Sequence, residues 1–173
     1  MSIRKKIVYD GKEDKFVGYC DFGGIQVETQ ETPAIEALFF MLVGLNGKWK
    51  WPIGYFLQAK STAIIQAGLI TTAIQMAKEI GARVWGVTCD GTTTNLSTMT
   101  HLGYKQSGTY DEIHESISIP GIDWKIYYVP DACHNIKLAR NALATYQQFK
   151  YNDNVISWSY IKHLNTVQQN IGL

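Results

Sequence analysis

Several classes of protein are excluded by what this chain does not contain. Cys20, Cys89 and Cys133 are odd in number, far apart and without a C-x-x-C pair. That pattern seeds neither a disulfide framework nor a cysteine-rich zinc site, and the three read as reduced thiols. No stretch reaches the roughly 18 apolar residues of a membrane-spanning helix, and the basic Ser2–Lys6 segment is followed by no signal-peptide core. A soluble intracellular protein with no membrane partner is expected. There is no internal repeat, no low-complexity tract, and neither a Walker-type loop nor a GxGxxG, which weighs against a nucleotide-binding α/β domain of the usual kinds. The net charge is only +1, so contact with nucleic acid would depend on local basic clusters rather than on an overall field.

What remains is globular. The 173 residues suffice for one domain, or for one domain and the beginning of another. An apolar content of 46%, with five tryptophans and ten tyrosines, is incompatible with disorder.

The organising stretch is ARVWGVTCDGTTTNLSTMTHL, from Ala82 to Leu102. Arg83 to Thr88 is a short β-branched, apolar run that stops at Cys89-Asp90-Gly91, so a strand ends on a carboxylate. The threonines and Asn95 can cap a following helix whose apolar positions are Leu96 and Met99 and which Gly103 closes. An acid at the end of a strand that turns straight into a helix lies at the carboxyl edge of a sheet, where open α/β folds build their sites. Asp90 is therefore the first candidate for chemistry, and the alternative is that it only caps an ordinary Asp-Gly turn. Cys89 as a nucleophile would need a histidine partner that the spacing does not supply.

Along the chain, Arg4–Tyr9 and Lys15–Phe22 read as a hairpin around the turn Asp10–Asp14, and Gln26–Pro33 as a loop. Ala37–Leu45 and Trp49–Leu57 flank Asn46-Gly47, a strong hairpin signal. The continuous apolar run predicts a strand covered on both faces, and Pro52 predicts an edge or a bulge. Ser61 is expected to cap a helix to Gly81 with Ile65, Leu69, Ala73, Met76, Ala77 and Ile80 as its core stripe. Tyr104–Asp123 is polar and turn-rich, and Trp124–Val129 is a strand closed by Pro130. A helix from Asp131 carries Ile136, Ala139, Leu143 and Tyr146 on one face. His134, Lys137 and Asn141, with Arg140 nearby, share a second face that is either solvated surface or a contact stripe. Gln147–Asn154 reads as a polar connection and Val155–Ile171 as a last helix. Hairpins followed by alternating helices and strands predict an α/β fold, a mixed sheet with packed helices.

That order is similar to the ribonuclease H-like fold of many transposases and nucleases. The runs MSIRKK, KFVGYCDFG, FFMLVGLNGKWKWPIGYFL, VTCDGTTTN and DACHNIKLARN resemble the P-element-type transposases, including those that carry a THAP zinc finger. The resemblance implies metal-dependent DNA cleavage and strand transfer, with an Asp-Asp-Glu set holding two Mg²⁺ or Mn²⁺ ions. Asp90 matches the second acid. Two-metal phosphoryl chemistry needs converging carboxylates that hold the cations about 4 Å apart. His134, Lys137 and Arg140 become candidates for contacting phosphate. Transposon-end DNA and a second copy of the chain are the implied partners, and the nucleus is the implied location.

The departures are equally specific. The family's first acid lies in an Asp-Glu pair immediately before the Met-Ser-Ile that here is Met1, and its Glu follows a large insertion that begins after the last sheet strand. The expectation is an RNase H-like core over 1–130, incomplete, followed over 131–173 by the start of a GTP-binding insertion. On that reading both outer ligands and the zinc finger are cut off, the isolated chain performs no strand transfer, and an apolar sheet face left open promotes self-association. Asp10, Asp21 and Asp131 are the acids that could substitute. The rival reading is a domesticated, non-catalytic DNA- or protein-binding module that uses Trp49, Trp51 and the Lys48/Lys50 pair, tryptophans that otherwise cover the sheet.

Overall fold

The structure is a computed structural model that describes residues 1–23, 31–106 and 112–172; most of the expected Gln26–Pro33 loop lies outside them. The chain forms two compact units, Met1–Val87 with Thr93–Tyr128, and Thr88–Thr92 with Val129–Leu173.

The first unit opens with an antiparallel hairpin of β1 (Val8–Asp10) and β2 (Lys15–Val17), in which the Tyr9 and Phe16 rings face each other across the strands at 5.4 Å. The second strand was expected to run to Phe22, and it breaks at Gly18. The backbone there has φ +106°, and a Cβ would sit 2.1 Å from the Lys6 carbonyl oxygen, so only glycine fits. Beyond it the chain pairs through single bridges, Tyr19 with Pro33 and Asp21 with Leu57.

Strands β3 (Glu36–Val43) and β4 (Lys50–Gln58) form the longest hairpin. The register shifts between Phe40, opposite Gly54, and Met41, opposite Pro52, so Ile53 bulges beside a residue that has no N–H to give the ladder. Among the described residues only one face of this hairpin is covered, contrary to the expectation from its apolar run. Leu38, Phe40 and Phe56 pack on the buried cluster of Cys20, Phe22, Ala34 and Leu69. Phe39, Met41, Val43 and Tyr55 point the other way and are each more than half exposed.

Helix α1 (Ala63–Glu79) is capped by Thr62, whose side chain accepts the Ile65 N–H at 3.3 Å, rather than by Ser61. Its buried face is Gln66, Ala67, Leu69, Ile70, Ile74 and Ala77, while Met76 and Ile80 of the expected stripe are 60% and 79% exposed. The stripe is rotated because the helix must serve two neighbours, seating Leu69 in the cluster and turning Gln66 toward α2 (Thr93–His101). There the buried Thr98 hydroxyl lies 3.1 Å from Gln66 Oε1 and 2.8 Å from the Thr94 carbonyl, between two acceptors. Met99, beside it, is also fully buried.

A three-stranded sheet follows in the order β5 (Gly86–Val87), β7 (Ile126–Tyr128), β6 (Ser116–Ile117), with β5 parallel to β7 and β6 antiparallel to it. Strand β6 falls in a stretch read as turns. Ile126, Tyr128 and Ile117 are buried, and the Tyr104 ring meets Tyr128 edge-on at 4.8 Å. The fold is mixed α/β as expected, although among the described residues the strands group into four small hydrogen-bonded sheets instead of one.

In the second unit α3 (Ala132–Tyr146) leads into the hairpin β8 (Gln148–Tyr151) and β9 (Asn154–Ser157), then α4 (Ser159–Asn170). The hairpin replaces the expected polar connection and takes the first residues of the expected last helix. Its turn is Asn152-Asp153, with Asn152 at φ +52°. The expected apolar face of α3 is uncovered, with Ile136 and Tyr146 71% and 72% exposed; no residue of α3 or α4 is buried. Among the described residues no helix is long and apolar enough to cross a membrane.

Leu69→Ala should cost about 2–5 kcal/mol in urea unfolding, and Thr98→Val about 1–3 kcal/mol because Gln66 loses its buried partner, whereas Met76→Ala should change stability by less than about 0.5 kcal/mol. Equal losses at Leu69 and Met76 would mean that the helix is seated differently.

Candidate functional site at the Asp90 turn

Strand β5 ends at Val87 and α2 begins at Thr93, so residues 88–92 form an irregular turn with Asp90 at its centre. Asp90 is half-buried, and its Oδ1 accepts the Thr92 N–H at 3.3 Å. One carboxylate oxygen thus shapes the turn. The turn is pinned to the start of α3, where the Asp131 N–H donates to the Cys89 carbonyl at 3.1 Å. A Cβ on Gly91 would lie 3.7 Å from Leu138 Cδ1, an ordinary contact.

Asp131 itself is the N-cap of α3. Its Oδ1 accepts the N–H groups of Cys133 at 2.9 Å and His134 at 3.3 Å, so two otherwise unpaired helix donors are satisfied by one carboxylate. His134 is half-buried in the first turn, while Lys137, Arg140 and Asn141 are exposed further along. Arg140 Nη2 donates to Asn141 Oδ1 at 2.7 Å. The stripe of His134, Lys137 and Asn141 is therefore real as a helix face, with Arg140 bonded back onto it.

Asp10 and Asp21, the other acids considered as replacements, are engaged in local turns. Asp10 accepts the Lys12 N–H and Asp21 the Gly23 N–H, each at 2.9 Å. Among the described residues no three His, Cys, Asp or Glu side chains converge as a metal site. A lone carboxylate does not fit a pair of hard divalent cations, each of which takes six or more oxygen ligands.

A different constellation was not anticipated. Arg83 lies with its guanidinium carbon 4.0 Å from the Trp85 ring centre and 4.9 Å from that of Trp124. The Arg-x-Trp spacing in an extended run was the available signal, since residues two apart share a side.

Comparison with known proteins decides the family. Residues 1–103 match the model of the TNP-like RNase H N-terminal domain, and residues 133–173 match that of the TNP-like GTP-binding insertion domain.

The chain belongs to the TNP-like, P-element-type transposase family.

The DNA transposase THAP9 of Homo sapiens is 28% identical over 171 residues, which is 98% of this chain and 19% of that protein. The structure of the Drosophila P element transposase strand transfer complex aligns with a TM-score of 0.71 and 19% identity, over 96% of this chain and 32% of that one. The chain thus spans about a fifth of the curated relative, and the solved structure shares its fold. In this transposase-family chain the Asp90 turn falls inside the RNase H-type match, and His134, Lys137 and Arg140 fall inside the insertion-domain match.

Asp131→Ala should lower stability by about 0.5–2 kcal/mol through loss of the cap, and Asp131→Asn, which keeps an accepting oxygen, should lose less. Thermal unfolding of the two variants checks this, and equal losses would point to the charge rather than the cap.

Proposed function

We propose that this chain forms part of the RNase H-like core of a DNA transposase that cleaves and joins DNA with Mg²⁺ or Mn²⁺, and that Asp90 supplies one carboxylate of the metal site. The observation that carries the reading is the place of Asp90, in a turn between β5 and α2 inside the stretch matched to the RNase H-type domain. One oxygen of Asp90 is held by the Thr92 amide, which orients the carboxylate and fixes the turn before any cation arrives. Further acids must complete a two-cation site, because converging carboxylates are what place the attacking and leaving oxygens. Residues 1–130 are read as the core and 131–173 as the entry into a GTP-binding insertion, with GTP as the nucleotide and the nucleus as the place of action. On α3, His134, Lys137 and Arg140 are assigned to phosphate contact. Transposon-end DNA and a second copy of the chain are the partners this reading implies.

The test is a graft. Replacing the matched segment of the human relative with this chain should preserve transposon excision in cells, and Asp90→Ala in the hybrid should reduce excision by at least about 100-fold. Retained excision after Asp90→Ala would remove Asp90 from the site. By itself the chain should show no metal-dependent strand transfer, and cleavage abolished by Asp90→Ala would overturn that.

A second reading, a non-catalytic binding module, is favoured by the exposure of Trp49 and Trp51, 51% and 68%, beside Lys48 and Lys50. Salt-dependent DNA binding that survives Asp90→Ala, with an inactive hybrid, would select it.

A further inference from the structure

From the cleft beside the β3–β4 turn, we infer that the first unit holds a site for one nucleotide of an unpaired DNA strand, with Trp49 stacking on the base and Arg83 holding the adjacent phosphate. This rests on the reading of the chain as a DNA-handling protein and adds a contact made by residues outside the Asp90 turn.

The cavity has a volume of about 380 Å³, and Gly44, Asn46, Trp49, Ala82, Arg83 and Trp85 are among its lining residues. Its walls combine the two tryptophans with aliphatic side chains, and it contains one cation and no acid. Trp49 is half exposed yet fixed in place. A Cβ on Gly44 would lie 2.6 Å from Trp49 Nε1 and 2.8 Å from its Cε2, so the indole rests directly on the glycine backbone. The Gly44 N–H also donates to the Trp49 carbonyl at 3.0 Å. Glycine at position 44 is what lets the ring lie there.

Arg83 is held just as firmly on the other side. Its guanidinium stacks on Trp85 and also faces Trp124, whose indole N–H donates to the Val84 carbonyl at 2.7 Å. Ring stacking occupies the flat faces of a guanidinium and leaves its N–H edge, which matches the paired oxygens of a phosphate. Among the described residues that edge makes neither an ion pair nor a hydrogen bond. A pre-set aromatic ring and a pre-set fork of donors across one cleft suit a base and its phosphate, and little ordering is needed on binding. In a duplex the stacked neighbouring pairs cover both faces of a base, which leaves Trp49 no face to stack on and selects an unpaired strand. Lys48 and Lys50, in sequence on either side of Trp49, add positive charge for the neighbouring phosphates.

The experiment measures binding of this chain to a labelled 12-nucleotide single strand, to the matching duplex and to a mononucleotide, at two salt concentrations. Trp49→Leu and Arg83→Gln should each weaken single-strand binding by about 10-fold or more, and Arg83→Gln alone should reduce the salt dependence. Gly44→Ala should weaken it through displacement of the indole, and far-ultraviolet circular dichroism would show the hairpin intact. Met76→Ala, on the exposed side of α1, should leave binding unchanged. Single-strand binding indifferent to Trp49 and Arg83 would overturn the site, as would equal binding of duplex; competition by the mononucleotide that Trp49→Leu abolishes would support it. Binding at the cleft by a chain whose unsubstituted graft fails to excise would uphold the cleft and sink the transposase reading; an active unsubstituted graft with no single-strand binding would sink the cleft alone.

Discussion

The seating of Leu69 against Cys20, Phe22 and Ala34 is the contact on which the first unit depends, because it joins α1 to two separate stretches of chain on which the β3–β4 hairpin also packs. Burying a leucine side chain is worth about 1.5–3 kcal/mol, and the position of Leu69 sets the rotation of the whole helix. That rotation brings Gln66 to Thr98, and so ties α1 to α2 through a buried polar contact. Helix α2 in turn follows directly from the Asp90 turn in sequence.

The aspartates share a second constraint. Asp10, Asp21, Asp90 and Asp131 each accept the N–H of the residue two positions on, the arrangement by which a short carboxylate mimics a backbone turn. A carboxylate has two oxygens, so shaping a turn with one does not by itself preclude a ligand role. Between these four acids what differs is context. Asp131 satisfies two donors at a helix start, Asp10 lies at a hairpin turn, Asp21 is exposed, and Asp90 lies in the segment between a strand and a helix.

Much of this was legible beforehand. Asn46-Gly47 located the longest hairpin, Pro52 its bulge, Gly81 and Gly103 the ends of two helices, and Asp90 its turn. Family resemblance, carried by five ordered runs of residues, agreed with the matched family models. The illegible parts have physical causes. Strand β6 is two residues long, too short for alternation to register, and its pairing comes from β7 ten residues later. The β8–β9 hairpin was masked by the helical spacing of the residues that follow its Asn-Asp turn. The Arg83–Trp85–Trp124 cluster needed Trp124 to arrive from 41 positions further along the chain.

The chain's own order of residues determined where turns must occur and which segments could be helix or strand, because glycine, proline and aspartate act on the backbone within two or three positions of themselves. It equally determined the family, since residue identities and their order carry that signal without reference to packing. Only the tertiary structure decided which apolar face was covered. The same alternation in β3 serves Phe40, packed under α1, and Phe39, left in solvent, and nothing in a strand's period of two says which side a helix will take. The three-dimensional arrangement alone also decided that Arg83 meets two tryptophans and that Gly44 underlies Trp49. Such contacts join residues whose separation along the chain sets no distance between them.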